Sequence, residues 1–164
     1  MTGQYLQAMR SACEWLLAGL LCCGVALAQD EEHANFLEIP FLQITDGIKT
    51  CARQQEPRMT RAEAAAQSHS RAERGTSCYQ SGRCRLPNAY LYDKEIIPRV
   101  KQAILVDGRF ARTSIWVEGQ RRWVWLRGCV ASKAEAQSVE DLVKSIDDVE
   151  AVVNELSIQL PSGQ

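Results

Sequence analysis

The chain has 164 residues, of which 46% are apolar and 24% charged, and its net charge is −1. That is an ordinary globular composition with room for one domain and additional material, and it excludes two full cores. Near-neutrality also excludes a global field for nucleic acid or an anionic surface, so any such partner must be met by a local patch.

Arg10 and Glu14 are the only charges before a fourteen-residue apolar run, Trp15 to Ala28. The run falls short of the roughly 18–20 apolar residues that a bilayer-crossing helix needs. It suits a secretory signal, with Ala26-Leu27-Ala28 as the small-residue cleavage site and Gln29 as the mature start. An uncleaved N-terminal anchor is the alternative. A lipidated cysteine fits less well, because Cys22 follows bulky Leu21 and Cys23 follows Cys22. Residues 1–28 are therefore read as a signal peptide, and the product as periplasmic or secreted, with membrane association open. Cys13, Cys22 and Cys23 would leave with the signal, while Cys51, Cys78, Cys84 and Cys129 remain. An even number in an oxidising compartment predicts disulfides, and four cysteines allow three pairings.

Residues 29–92 read as a cysteine-containing extension. It opens on Asp30, Glu31 and Glu32, and Phe41, Leu42 and Ile44 allow a strand kept short by Pro40 and Asp46-Gly47. Thr60 and Glu63 form a capping box that opens an alanine-rich helix over about 61–74, stopped by Gly75. Cys78 to Cys84 reads as a tight loop, and Leu86-Pro87-Asn88 as a turn. Arginine is dense here: Arg58, Arg61, Arg71, Arg74, Arg83 and Arg85.

From Asp93 the pattern is regular. Ile96, Val100, Ala103 and Ile104 recur at helical spacing, with Pro98 placed in the first turn or kinking the start. Ile115 and Val117 share one face of a strand, Gly119-Gln120 begins a turn, and Val124, Leu126 and Val130 alternate in the next strand. Ser132 and Glu135 make a second capping box, before a stripe of Ala136, Val139, Leu142, Val143 and Ile146. Val152, Leu156, Ile158 and Leu160 end the chain as a strand.

Asp93 with the following helix and Ile115-x-Val117 resembles the first half of a BON (bacterial OsmY and nodulation) domain. Val124-x-Leu126-x-Gly128-x-Val130-x-Ser132 resembles the family's V-x-L-x-G-x-V-x-S strand, and Val149-x-x-Val152-x-Asn154-x-Leu156-x-Ile158 its ending. Asp148 stands where the family usually has glycine, and about sixty residues precede the domain. The resemblance covers 93–160 and implies an α+β fold of order α-β-β-α-β, a three-stranded sheet with two helices on one face. It also implies an envelope setting, with proposed roles in phospholipid binding and envelope integrity, as in stress-response proteins. No catalytic residues come with it.

Strand parity places Trp116, Trp123, Trp125, Arg127 and Cys129 on the face away from the helices. Three tryptophans there are either covered by residues 29–90, with Cys129 tied to the cover, or form a surface for lipid headgroups or a partner. Arg109, Arg112, Arg121, Arg122 and Arg127 lie within nineteen residues; they are either a solvated face or a contact for anionic phospholipid headgroups. Cys78 and Cys84 are close enough for a local bridge, which leaves Cys51 for Cys129. Cys84–Cys129 with Cys51–Cys78 also makes geometric sense.

An enzyme reading finds no support. His33 and His69 lie outside the regular segment, and H-E-x-x-H, G-x-S-x-G and a glycine-rich phosphate loop are all missing from the sequence. Cys78-x5-Cys84 lacks the spacing of thiol oxidoreductases, and no second close pair suggests zinc. The expectation is a non-enzymatic protein without cofactor, metal or nucleic-acid partner. It either binds phospholipid through its Trp/Arg surface or serves as an adapter or accessory subunit of an envelope assembly. A redox-active dithiol protein is the outside reading, which free cysteines would favour.

Overall fold

The computed structural model describes residues 31–159; residues 1–28, read above as a signal peptide with three cysteines, and Leu160 lie outside them. Helix α1 spans Arg61–Gln80. It opens on the expected capping box: Glu63 N donates to Thr60 Oγ1 at 3.1 Å and Thr60 N to the Glu63 carboxylate at 2.8 Å. The helix runs past Gly75, which was expected to stop it. Gly75 is buried inside α1, where an added Cβ would lie 2.3 Å from Asn88 Oδ1. The glycine serves close packing there, and Cys78 belongs to the helix rather than to a loop.

A 3₁₀ turn, Ala89–Tyr92, leads directly into α2, Asp93–Asp107. Pro98 is the sixth residue of α2, beyond the expected first turn. It faces solvent, so the ladder bond it forgoes lies on the wet side. Strands β2 (Ser114–Gln120) and β3 (Trp123–Val130) form an antiparallel hairpin, and helix α3 (Lys133–Lys144) leads to β4 (Ala151–Ile158), parallel to β3. From Asp93 on the order is α-β-β-α-β, but β-strand Phe41–Gln43, α1 and the 3₁₀ turn precede it, so the order over the described residues differs in detail from the expected one.

The sheet, however, has four strands and not three, because Phe41–Gln43 forms an added edge strand, β1, in the order β1-β2-β3-β4. Strand β1, Phe41–Gln43, pairs antiparallel with β2, Leu42 opposite Val117. The pairing continues beyond it: Gly119 N donates to Pro40 O at 3.0 Å, and Gly47 N to Thr113 O at 2.7 Å. The extension thus completes an edge of the domain.

The core lies between the sheet and the helix pair. Ile96, Ile97 and Val100 of α2 and Val139 and Val143 of α3 meet Ile115, Val117, Val124 and Leu126, all fully buried. Two motif residues have plain physical roles. Gly128 sits at φ 115°, and an added Cβ would lie 2.0 Å from Ser114 O. Asn154 Nδ2 donates to Ala136 O and to Glu140, both at 3.0 Å, tying β4 to α3.

Asp148, the departure from the glycine pattern, has φ 71°, the region that glycine adopts at least cost. Its carboxylate accepts from Arg99 at 3.0 Å and from Arg85 at 3.3 Å. Burial pushes this carboxyl up, but those two guanidiniums outweigh it and hold it below its ordinary range. Asp148→Gly, which relieves the backbone as it removes the pairs, is expected to leave stability within about 1 kcal/mol; Asp148→Ala keeps the strain without the pairs and should lose about 1–2 kcal/mol. Urea unfolding of both variants checks the order.

Candidate functional site

The helix-free sheet face carries Trp116 and Glu118 from β2, Trp123, Trp125, Arg127 and Cys129 from β3, and Val153 and Glu155 from β4, as the registers require. The face is unevenly covered. Past Gly47 the extension crosses onto it: Ile48 N donates to Ser114 Oγ at 2.9 Å, and Ser114 Oγ to Ile48 O at 3.0 Å. Cys51 is then bonded to Cys129, with Cα atoms 5.8 Å apart, and Cys78 is bonded to Cys84. This is one of the two pairings that spacing and parity left open. Arg53 to Glu56 and Arg58 line a cleft with Trp116, which is only 4% exposed. Trp123 and Trp125, further along the face, are only partly buried, although the Trp123 indole N–H is enclosed without an acceptor among the described residues. Their ring centroids lie 6.1 Å apart with the planes tilted by 33°, an attractive aromatic arrangement.

The five arginines do not share this surface. Arg127 is paired with Glu118, itself 3% exposed, and with Glu155 at 2.8 Å. Arg122 turns toward the helices, where its Nε donates to Asp148 O at 2.8 Å and its guanidinium lies 5.2 Å from the Tyr92 ring. Arg109 is held by Asp107 through bonds of 2.6 and 2.7 Å, just beyond α2; this contact lowers the Asp107 carboxyl and raises the Arg109 guanidinium. Arg112 is exposed at the foot of β2, beside Gly47. Only Arg121 joins the aromatic pair, its Cζ 5.7 Å from the Trp123 centroid. Arg112 and Arg121 make no ion pair among the described residues.

The position of Arg121 depends on an unusual hairpin. Arg121 and Arg122 form its two-residue turn at φ 56° and 67°, a geometry that Asn-Gly usually supplies. Both turn amides donate to the Asp93 carboxylate, each at 2.7 Å. Asp93 is the most consequential residue that the sequence reading missed as a support for the site. Its position opening α2 was visible, but its partners lie beyond two intervening elements.

Burial pushes the Asp93 carboxyl up to about 6, against the two amide bonds and the Arg71 charge that pull it down. Its folded value lies above its unfolded one, so its contribution to stability is present in full below about pH 4 and is lost as pH rises through about 6. Unfolding free energy should therefore rise by about 1 kcal/mol from pH 7 to pH 5. Asp93→Asn should flatten that rise, and an unchanged slope in the variant would contradict this assignment. The other carboxyl shifts run downward and act at lower pH.

The motif glycine under φ constraint, the Asn154 tie and the α-β-β-α-β core agree with a sequence match: the family model of the BON domain fits residues 92–159. This segment is a BON domain. Its bounds differ by one residue at each end from those read in the sequence. No curated protein matches the chain. BON domains are associated with phospholipid binding and with envelope and stress proteins, and are generally non-enzymatic. Among the described residues no cluster of His, Cys, Asp and Glu has the geometry to hold a metal ion, and no helix is long and apolar enough to cross a membrane. All four described cysteines are disulfide-bonded. The chain surrounds its BON domain with a lid segment that covers one tryptophan and leaves two.

Proposed function

We propose that this is a non-enzymatic protein of the cell envelope, exported as a periplasmic or secreted product, which binds phospholipid and helps maintain envelope integrity. The contact is the partly buried Trp123–Trp125 pair with Arg121 beside it, and this juxtaposition is the observation that carries the reading. Indole rings beside an arginine suit the boundary between headgroup and acyl chain, where an amphipathic ring is half wet and half dry. Arg109, Arg122 and Arg127 are already neutralised by their own partners, so binding rests more on aromatic burial than on charge.

Binding to vesicles of phosphatidylglycerol and of phosphatidylcholine tests this. The Trp123→Ala/Trp125→Ala double variant should bind both at least tenfold more weakly, and 0.5 M salt should cost the native protein only a few-fold. Unchanged binding by the double variant would overturn the assignment.

The same charge pairing supports a second reading, in which this face docks another protein as an adapter or accessory subunit of an envelope assembly. A salt-resistant complex that forms without lipid and is lost in the double variant distinguishes it.

A further inference from the structure

A separate cleft of about 400 Å³ lies between α1, the segment 37–40 and the start of α2. That volume is in the range of small-molecule sites. Leu37, Ile39, Pro40 and Leu91 supply an apolar lining, and Arg71 of α1 lines the same cleft. The Arg71 guanidinium stacks on the Tyr90 ring with Cζ 3.8 Å from the centroid, which fixes its plane. Its Nη1 is buried without an acceptor among the described residues.

The other charged groups lining the cleft are already engaged. Lys94 pairs with Glu38 at 2.9 Å at the rim, and Asp93 gives one oxygen to each hairpin amide. Arg71 is thus a pre-oriented cation that makes no direct ion pair among the described residues, although its charge acts on the Asp93 carboxyl, and it lines the cleft together with those apolar residues.

We propose that this cleft binds a small monocarboxylate with an apolar tail, its carboxylate on Arg71 and its tail against Leu91 and Ile39. A planar guanidinium matches a carboxylate in two parallel hydrogen bonds. A single negative charge fits better than a phosphate dianion, because Glu38 and Asp93 line the same space and repel a second charge. The cleft shares Asp93 and Gly119 with the hairpin, but neither Trp123 nor Trp125 lines it, so variants of the two tryptophans and of Arg71 test the two sites separately.

Octanoate is the probe, with octanol as its neutral counterpart, titrated into the ¹⁵N-labelled full-length chain and followed by amide shifts. Octanoate should shift Leu91, Lys94 and Gly119 saturably, and octanol should bind at least tenfold more weakly. Arg71→Gln should weaken octanoate at least tenfold. Leu91→Glu, at an exposed position where folding is not at stake, should do the same by placing a carboxylate in the tail's path. Trp123→Ala/Trp125→Ala should leave octanoate binding intact. Equal affinity for octanol and octanoate, indifference to both cleft variants, or shifts confined to the tryptophan face would each overturn the proposal.

Discussion

Leu126→Ala is expected to lower the unfolding free energy by about 2–5 kcal/mol, the sum of lost transfer energy and the cavity left behind. Leu126 is fully buried at the centre of β3, opposite Val117 on β2 and Asn154 on β4, with the helices above. Its neighbours Val117 and Val124 are β-branched and held by the sheet, so the site has little scope to collapse into the gap. Small domains are stable by about 5–15 kcal/mol in total, so the variant should approach the edge of folding. Thermal unfolding lowered by less than a couple of degrees would contradict the register of β3. A one-residue slip would send Trp123 and Trp125 to the core side and Leu126 to the other.

Breaking the Cys51–Cys129 bridge should have the second large effect. Its partners are separated by 78 residues, and releasing a loop of that length costs about 3–5 kcal/mol. The loss should be local in structure. The bridge fastens the lid across Trp116, whereas the helix–sheet core of Leu126, Val100 and Val143 does not depend on it. The Cys51→Ser/Cys129→Ser variant should therefore keep its far-ultraviolet circular dichroism while its tryptophan emission moves to the red as Trp116 meets water. Fluorescence indifferent to the substitution would mean that the lid is held by β1 and the Ile48–Ser114 bonds alone.

Much of this fold could be read from the residues. The alternation of Val124, Leu126 and Val130 fixed which way β3 faces, because a period of two has only one alternative and that one buries charge. The glycine and asparagine of the motif marked Gly128 and Asn154, one required by a close backbone approach and the other by a link to α3. Even the irregular Asp148 was visible as a departure, though only its backbone angle explains it.

A short strand at Phe41, Leu42 and Ile44 is legible in the sequence, but its place in the sheet as β1 is not. Its three residues are too short to show a period, and its edge position depends on β2 lying alongside. Gly75 looks like a helix stop in the sequence, since its reason for being small, the Asn88 side chain, lies far along the chain.

The arginines show the limit of composition most clearly. Five of them within nineteen residues suggested one basic surface. Yet Glu155, Glu150 and Asp107 arrive from other strands, turns and helix ends to neutralise Arg127, Arg122 and Arg109. Charge density is a property of sequence, but free charge is a property of the fold. Aromatic parity survived this test better, because which face a strand residue takes does not depend on distant partners.

The central claim is that Trp123 and Trp125, and not the covered Trp116 or the helical side, meet phospholipid. Its most direct test is the broadening of resolved tryptophan indole N–H resonances by a headgroup-spin-labelled phospholipid in bilayer discs. The account predicts that the Trp123 and Trp125 signals broaden while Trp116 stays sharp. Equal sharpness of all three in a bound protein, or broadening at Leu105 and Val106 of α2 instead, would contradict it.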